Sequence, residues 1–288
     1  MPFDGFTCVV TGEHVSPEDC LTCAQRGGLE QRNGMLCPMS PPVLRGIIEN
    51  AQPRGLRAYS VTEVTGCPRQ VYLADQEPYD VDPEQAYWLF RGTLGHKIVE
   101  KYTNGDAIVE QRFYATLNGM LLTGQPDVVY PERLLVVDYK TTKRVPKRRK
   151  VYACPDCGIV LRDSQWKARQ GTLLNCPDCG ETWDANVIGY HYEPAVPYAD
   201  HITQLSIYRW LLRENGIEVE TGEIIYLSMA KTLRLPVHLW PLEATVAYLQ
   251  ERVAALVDLE ADGLPYGVWD DPDEQWRCKY CAVQDVCR

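Results

Sequence analysis

Twelve cysteines constrain this chain of 288 residues more than any other feature of its sequence. They fall into sets of four with none left over: Cys8, Cys20, Cys23 and Cys37; Cys154, Cys157, Cys176 and Cys179; and Cys67, Cys278, Cys281 and Cys287. Four thiolates are the complete ligand set of a structural zinc ion or of an iron–sulfur cluster. Disulfide bonds are the competing interpretation, but repeated Cys-x-x-Cys pairs and a reducing compartment favour metals.

The second set is a near repeat, Cys154-Pro-Asp-Cys157-Gly158 and Cys176-Pro-Asp-Cys179-Gly180. Each knuckle turns its backbone around a metal ion, with glycine in the tight position. The pattern predicts a zinc ribbon over residues 151–190, inserted into a larger domain. Trp166 and Trp183 flank its second half, where they either stack on a nucleobase or cover a core too small to hold itself together.

The first set predicts a small Cys-rich zinc module over residues 1–50. Its spacing is less typical of zinc than that of the ribbon, so another interpretation stays open, in which one or two of these thiols are simply buried. His14 could replace one of the cysteines as a ligand. A short helix that begins with Pro41 and the breaker Gln-Pro-Arg-Gly at residues 52–55 mark the end of the module.

The pattern of residues 121–143 predicts a hairpin of two apolar strands with charged residues at one end. Asp127 precedes one apolar run and Asp138 follows the other, so a turn at Pro131 brings both carboxylates to the same end. Lys140 lies on the side of Asp138, because side chains alternate along a strand. Buried carboxylates are costly unless they bind a hard cation such as magnesium or manganese. The alternative is a solvated hairpin with ordinary turn and edge residues.

Composition indicates a soluble globular chain that can bury a full core, with 45% apolar and 24% charged residues. No stretch is long and apolar enough to cross a membrane, and the N-terminus lacks the layout of a signal peptide, so the cytoplasm is expected. A net charge of −10 argues against indiscriminate binding of nucleic acid. Yet six lysine and arginine residues fall within residues 143–150, just after the charged strand. They form either a local DNA-binding patch or a solvated loop.

The predicted regular elements between these features follow from caps and periodicity. Ser60 and Glu63 form a capping box that starts a helix at Val61, and Pro68 opens the next helix after Cys67. The remaining predictions are a helix from Pro83 to Tyr102, a strand from Ala107 to Leu117, a helix from Asp200 to Asn215, a strand pair at Glu223–Met229 and Val237–Trp240, and a helix from Leu242 to Ala261.

Gly124-x-x-Asp127, a short spacer and Asp138-x-Lys140 resemble the motif of the PD-(D/E)XK nucleases, and more narrowly their RecB-type branch. One segment upstream of this motif and one segment downstream of it resemble that branch as well. The first is Arg91-Gly-Thr-Leu-Gly-His96, and the second is Gln204-Leu-Ser-Ile-Tyr208 with its Gln-x-x-x-Tyr signature. The likeness covers roughly residues 60–288.

This resemblance implies an α/β fold, a restriction-endonuclease-like mixed sheet flanked by helices, in a nuclease core over residues 51–288. It implies that His96, Asp127, Asp138 and the carbonyl of Tyr139 hold Mg²⁺ or Mn²⁺ and that Lys140 positions the attacking water. It places Gln204 and Tyr208 beside the metal, where they orient the DNA or the lysine. The implied activity is hydrolysis of DNA, with a single-strand exonuclease as the preferred mode.

The C-terminal segment, residues 263–288, brings three cysteines that require a fourth from elsewhere, and Cys67 is the one left unclaimed. This quartet would join the two ends of the nuclease core. Four thiolates suit zinc and iron alike. The resemblance to the iron–sulfur members of the branch, which include the CRISPR-adaptation nuclease Cas-four and the AddB nuclease domain, favours a four-iron, four-sulfur cluster. It also implies a helicase or integrase partner.

Two other functions stay open from the sequence. The chain could be a non-catalytic nucleic-acid adaptor, in which the ribbon and the basic run bind and the nuclease-like core is a scaffold. An iron site could also serve redox sensing rather than stapling.

Overall fold

The computed structural model describes residues 3–29, 37–51, 58–82, 105–162, 167–170, 172–260, 263–268 and 274–287, together with Gly92, Lys101, Thr103 and Asp271. Within these ranges the helices are α1 (Pro17–Gln25), α2 (Pro41–Ala51), α3 (Val61–Val64), α4 (Pro68–Gln76), α5 (Ala199–Glu214), α6 (Leu242–Val257) and α7 (Gln284–Cys287). None of these helices is long and apolar enough to span a membrane.

The strands of the described residues form five small sheets. They are β1 (Phe3–Thr7), β2 (His14–Val15), β3 (Tyr59–Ser60), β4 (Tyr79–Val81), β5 (Ile108–Val109), β6 (Phe113–Leu117), β7 (Met120–Gly124), β8 (Val128–Tyr130), β9 (Leu135–Thr141), β10 (Arg149–Ala153), β11 (Val160–Arg162), β12 (Lys167–Gln170), β13 (Leu173–Asn175), β14 (Thr182–Asp184), β15 (Tyr190–Glu193), β16 (Thr221–Leu227) and β17 (Thr232–Val237).

The largest sheet is mixed, with the order β17-β16-β9-β8-β5. Strand β9 pairs in parallel with β16 and antiparallel with β8. Its first four residues are all buried, as expected for a central strand covered on both faces. The predicted α/β class with a mixed sheet and flanking helices is confirmed.

Helix α5 covers one face of this sheet. Val136 of β9 and Ile224 of β16 share a core with Leu205, Tyr208 and Leu211 of the helix. Residues 135 and 137 of β9 lie in a different cluster, on the opposite face. Because side chains alternate along a strand, the face of Val136 also carries residues 138 and 140. The charged end of β9 therefore points toward α5.

The hairpin differs from the prediction in its first arm. A 3-10 turn at Pro131–Arg133 and a left-handed Leu134 (φ 49°) connect β8 to β9, as the sequence indicates. However, β7 pairs with β3 and β6 in a second sheet, and the chain passes into β8 through residues 125–127. Pro126 has no N–H for a ladder hydrogen bond, so the strand is interrupted there.

The predicted helix starts near residue 60 are confirmed. Ser60 and Glu63 exchange both capping-box hydrogen bonds, at 3.2 and 2.6 Å. Cys67 is the N-cap of α4, and Pro68 is its first residue. The helix predicted from Pro83 to Tyr102 lies outside the described residues except for Gly92 and Lys101, which are helical.

Several predicted boundaries are wrong. The second strand of the edge pair is β17 at 232–237, not 237–240, because Ser228 closes a tight turn by accepting from and donating to Lys231. Helix α6 ends at Val257 rather than Ala261, since the chain turns to form a bridge between Leu259 and Pro265. The strand predicted over 107–117 is broken at Glu110, whose φ of 50° leaves the extended region.

Gly124 is required by the packing of α5 on β7. A Cβ at this position would lie 2.8 Å from both Tyr208 Cε1 and Leu211 Cδ2 and 3.0 Å from Val61 Cγ2. The glycine of the sequence motif therefore lets the tyrosine ring lie directly against the strand.

We expect Gly124→Ala to lower the free energy of unfolding by about 1–3 kcal/mol, because overpacking forces side chains or backbone to shift. Urea unfolding followed by circular dichroism measures the change. Gly189→Ala is the matched control, since a Cβ at Gly189 meets nothing within 4 Å and its backbone is not left-handed. Equal effects of the two substitutions would contradict this account of Gly124.

Candidate active site

Two buried carboxylates lie at one end of the hairpin. Val128 pairs with Val137, so residues 127 and 138 occupy the next position on the two neighbouring strands. Asp127 Oδ2 accepts a hydrogen bond of 2.6 Å from the backbone N–H of Tyr139. The side chains of both aspartates are buried, with 3% and 1% of their surface exposed. The register of the β8–β9 pairing thus brings the carboxylates of Asp127 and Asp138 close together.

Lys140 connects this pair to α5. Its Nζ lies 2.9 Å from Asp138 Oδ2 and donates a hydrogen bond of 2.7 Å to Gln204 Oε1. The Gln204 side-chain amide in turn donates to the hydroxyl of Tyr208 at 2.8 Å. Gln204 and Tyr208 are four residues apart, on one face of the helix. The five residues Asp127, Asp138, Lys140, Gln204 and Tyr208 therefore form one continuous polar cluster.

The donor set fits a divalent cation. Asp138 Oδ2 is buried and has no hydrogen-bond partner among the described residues; its contact with Lys140 is an ion pair without hydrogen-bond geometry. Asp127 and Asp138 bring two carboxylates to a buried site, and buried carboxylates are costly unless they bind a cation or are paired. Hard cations take carboxylate oxygens as ligands. Asp127 and Asp138, with the carbonyl of Tyr139 beside them, could hold such an ion, whereas His96 lies outside the described residues.

Tyr208 remains a neutral phenol in this environment. Burial raises the pKa of Tyr208 far above its ordinary value, and the negative charges of Asp138, Asp127 and Glu110 raise it further. A neutral hydroxyl can accept the hydrogen bond from Gln204 while Gln204 accepts from Lys140. The glutamine orientation is thereby fixed from both sides.

Glu110 adds a third acid beside the pair. Its N–H donates to the carbonyl of Asp127 at 3.0 Å, and its carboxylate accepts from Gln125 Nε2 at 2.7 Å. Arg112 donates to the other end of the Gln125 amide at 2.6 Å. The left-handed backbone of Glu110 thus lies next to Asp127. Gln125 of the Gly-x-x-Asp motif links the carboxylate of Glu110 to the guanidinium of Arg112.

Sequence reasoning missed a histidine and a tyrosine near Lys140. His201 Nδ1 lies 2.9 Å from the hydroxyl of Tyr226, which also accepts the backbone N–H of Tyr198 at 3.1 Å. Tyr226 pairs with Lys140 across the β9–β16 ladder. Burial lowers the pKa of His201 to about 4, with a further contribution from the charge of Lys140. The available signal was that His201 precedes Gln204 by three residues on one helix face.

The four cysteines of the ribbon lie close together. Sγ atoms are 3.7 Å apart for Cys154 and Cys179 and for Cys157 and Cys176, and all four lie within 4.8 Å of one another. A tetrahedron with Zn–S bonds of about 2.3 Å has edges of about 3.8 Å. Burial acts to raise the pKa of Cys176, but hydrogen bonds from the N–H groups of Cys179 and Asp178 and from the thiols of Cys179 and Cys157 together lower it to about 7. This group could bind a metal ion through four thiolates.

Trp183 belongs to the ribbon's small core. Its indole N–H donates to Asp156 of the first knuckle at 3.0 Å, and the ring packs against a cluster that includes Tyr152 and Leu174. This supports the structural role rather than the base-stacking role for Trp183. Trp166 lies outside the described residues.

The three cysteines at the chain's C-terminal end lie close enough to Cys67 for their charges to interact. Burial raises the pKa of Cys287 to about 11, and the thiolates of Cys67, Cys281 and Cys278 raise it further. No three of these four have sulfur atoms within 4.8 Å of one another, among the residues described. Arg69 holds the tail against α4, because its N–H and its Nε donate to the carbonyls of Tyr266 and Pro265.

The N-terminal set is also electrostatically coupled. Burial raises the pKa of Cys20 to about 11, and the negative charges of Cys37, Cys8 and Cys23 also contribute to the rise. Here too no three sulfur atoms lie within 4.8 Å of one another in the described ranges. His14, which the sequence allows as an alternative ligand, contacts Asp80 through Nδ1 at 2.8 Å, and with Asp4 these residues form a group that could hold a metal ion.

The turn after Cys8 has the backbone of the ribbon knuckles. Cys8 N–H donates to the carbonyl five residues on, Gly12 N–H donates back to Cys8, and Gly12 has a φ of 76°. Cys154 with Gly158 and Cys176 with Gly180 make the same pair of hydrogen bonds. Thr11 stands where the knuckles of the ribbon have their second cysteine.

Comparison with known proteins gives one family match and a shared fold. Residues 189–288 match the model of the PD-(D/E)XK nuclease superfamily, 100 of the 288 residues. This part contains Gln204, Tyr208 and the C-terminal cysteines but not the aspartates or Lys140. No curated protein matches the chain at a significant level.

Several solved structures match the chain. A protein called SSO0001 is 18% identical over 85% of this chain and 93% of its own, with a TM-score of 0.51, so the two share a fold. A Eubacterium rectale protein provisionally named as an exonuclease is 13% identical over 81% of this chain and 79% of its own; its TM-score of 0.33 is too low to carry an argument.

Because the folded pKa of His201 is about 4, below its ordinary value of 6.5, the neutral imidazole stabilises the fold above about pH 6.5. This contribution is lost as the pH falls from about 6.5 to about 4, since the unfolded chain then binds a proton that the folded chain does not. We expect the difference in unfolding free energy between wild type and His201→Asn to shrink over this range, as measured by urea unfolding. His191→Asn, at an exposed position on β15, is the control. A difference that stays constant down to about pH 4.5 would contradict the buried neutral histidine.

Proposed function

We propose that this chain is a metal-dependent deoxyribonuclease. The observation that carries the proposal is the buried cluster of Asp127, Asp138 and Lys140, in which one oxygen of Asp138 has no hydrogen-bond partner among the described residues. The family match of residues 189–288 and the shared α/β fold support the same conclusion. A non-catalytic scaffold would have no reason to keep two carboxylates and an ammonium together in a buried site.

Asp127, Asp138 and the carbonyl of Tyr139 would hold Mg²⁺ or Mn²⁺, together with His96 as the resemblance implies. When bound, the ion supplies positive charge for the phosphate oxygens and lowers the pKa of a coordinated water. Lys140 holds the attacking water near Asp138 and stabilises the negative charge that develops on the phosphate. Gln204 fixes the ammonium at 2.7 Å, and Tyr208 fixes the glutamine, so the lysine is oriented before substrate arrives.

Cleavage of single-stranded DNA from an end is the mode that the resemblance implies, and we adopt it as part of the proposal. The same resemblance supplies the helicase or integrase partner. A cytoplasmic setting is proposed because it keeps the thiolates reduced.

The quartet of Cys67, Cys278, Cys281 and Cys287 is proposed to hold a four-iron, four-sulfur cluster. The support for iron rather than zinc is the resemblance to the iron–sulfur members of the branch, since four thiolates suit both metals. The cluster would join α4 to the C-terminal tail, next to the Arg69 hydrogen bonds that already connect them. The ribbon is proposed to hold zinc, and a second zinc is proposed for the N-terminal module.

We expect Lys140→Ala and Asp127→Asn each to reduce Mn²⁺-dependent degradation of end-labelled single-stranded DNA by at least about 100-fold. Asparagine keeps an oxygen for the N–H of Tyr139 while it removes the charge, so loss of folding is avoided. Glu132→Gln is the matched control, because it removes one acid from the exposed turn at the other end of the same hairpin. Unchanged degradation by Lys140→Ala would refute the catalytic assignment.

We expect the purified protein to be brown, with absorption near about 400 nm and about four irons per chain. Cys281→Ser should remove the iron and leave the zinc, whereas Cys157→Ser should remove one zinc and leave the iron. Elemental analysis and absorption spectra measure both. A colourless protein with three zinc ions would contradict the cluster.

A further inference from the structure

An exposed aromatic and basic surface lies on the three-stranded sheet β11-β10-β15. Lys150 pairs with Tyr192 and Tyr152 pairs with Tyr190 across the β10–β15 ladder. Directly opposed residues of antiparallel strands share a face, as do residues two apart. Lys150, Tyr152, Tyr190 and Tyr192 therefore form one surface, which we call the tyrosine platform.

The two outer rings of the platform are accessible but held in place. Tyr190 is 53% and Tyr192 47% exposed, while Tyr152 beneath them is buried. The rings of Tyr190 and Tyr192 meet edge to face, with centroids 5.8 Å apart. Lys150 Nζ lies 3.8 Å from the centre of the Tyr190 ring, and Arg148 Cζ lies 5.4 Å from that of Tyr192. Exposed aromatic rings interleaved with cations are the composition of a surface that binds a nucleic acid strand.

The charge of the platform is opposite to that of the whole chain. The chain has a net charge of −10, yet Lys147, Arg148 and Arg149 are exposed at the start of β10. A polyanion is attracted to this part of the surface and repelled by most of the remainder. In a nucleic acid strand, the phosphates complement these cations and the bases complement the tyrosine rings. An acidic partner protein would complement the cations but leave the rings without a stacking partner.

The platform is connected to the proposed active site through one short segment. Arg148 follows Lys140 by eight positions, so their Cα atoms are at most about 28 Å apart. The hydroxyl of Tyr198, at the start of α5, donates to the carbonyl of Arg144 in this segment at 3.2 Å. The same Tyr198 donates its N–H to Tyr226 beside Lys140. A strand of a few nucleotides spans such a distance.

We infer that the tyrosine platform binds single-stranded DNA, with bases stacked on Tyr190 and Tyr192 and phosphates on Arg148 and Lys150, and feeds it toward Lys140. The inference rests on the proposed function for the direction of the strand, but binding itself does not require cleavage. Duplex DNA is disfavoured as the occupant, because its bases are already stacked on one another and cannot cover the rings.

Equilibrium binding of a fluorescein-labelled thymidine oligomer of about 12 nucleotides tests the inference, with fluorescence anisotropy as the readout and no divalent cation added. We expect Tyr190→Ala and Tyr192→Ala each to weaken binding by about tenfold, because one stacked base is lost. Tyr190→Phe keeps the ring and should bind within about twofold of wild type. Tyr114→Ala is the matched control, since Tyr114 is an equally exposed tyrosine on β6.

The inference is overturned if Tyr190→Ala binds the oligomer as tightly as wild type, or if Tyr190→Phe loses as much affinity as Tyr190→Ala. It is also overturned if wild type prefers duplex DNA or a uridine oligomer of equal length. Failure of the platform is distinguishable from failure of the nuclease. Wild type that binds the oligomer through Tyr190 but does not degrade it with Mn²⁺ would refute the nuclease alone, whereas Mn²⁺-dependent degradation with no effect of Tyr190→Ala on binding would refute the platform alone.

Discussion

The ion pair between Asp138 and Lys140 is the interaction on which the remainder of the structure depends. Asp138 lies in the central strand of the largest sheet with 1% of its surface exposed, where an uncompensated charge is expensive. Lys140 offsets part of that charge at 2.9 Å, and Asp127 adds a second acid across the ladder. A divalent cation would balance the remaining negative charge, which explains why such a cluster can exist inside a folded protein.

Packing of α5 on the sheet converts this pair into an oriented site. Gly124 lacks a Cβ, so the ring of Tyr208 lies against β7 and its hydroxyl is directed at Gln204. Gln204 then fixes the ammonium of Lys140. On the other side of the lysine, Tyr226 hydrogen-bonds to His201 and to the backbone of Tyr198. Helix α5 thus contributes both Gln204 and His201 to the surroundings of Lys140. Tyr198, at the start of this helix, also hydrogen-bonds to Arg144 in the basic segment.

Local chemistry explains which features the sequence could predict. The capping box at Ser60, the proline that opens α4 and the alternation that places Lys140 beside Asp138 depend on residues within a few positions of one another. The boundaries at Pro126 and Ser228 differ from the prediction, because apolar periodicity does not show where a missing N–H or a tight turn interrupts a strand. His201, Tyr226 and the tyrosine platform depend on pairing between β9 and β16 and between β10 and β15, whose registers periodicity alone does not fix.

The central claim is that Asp127 and Asp138 together bind one hard divalent ion. A crystal of the protein soaked in Mn²⁺, with anomalous diffraction recorded above the manganese edge, tests it most directly. The account predicts one strong anomalous peak between the two carboxylates, about 2.2 Å from an oxygen of each. Its absence there, with manganese bound instead only at the exposed group of Asp4, His14 and Asp80, would contradict the claim.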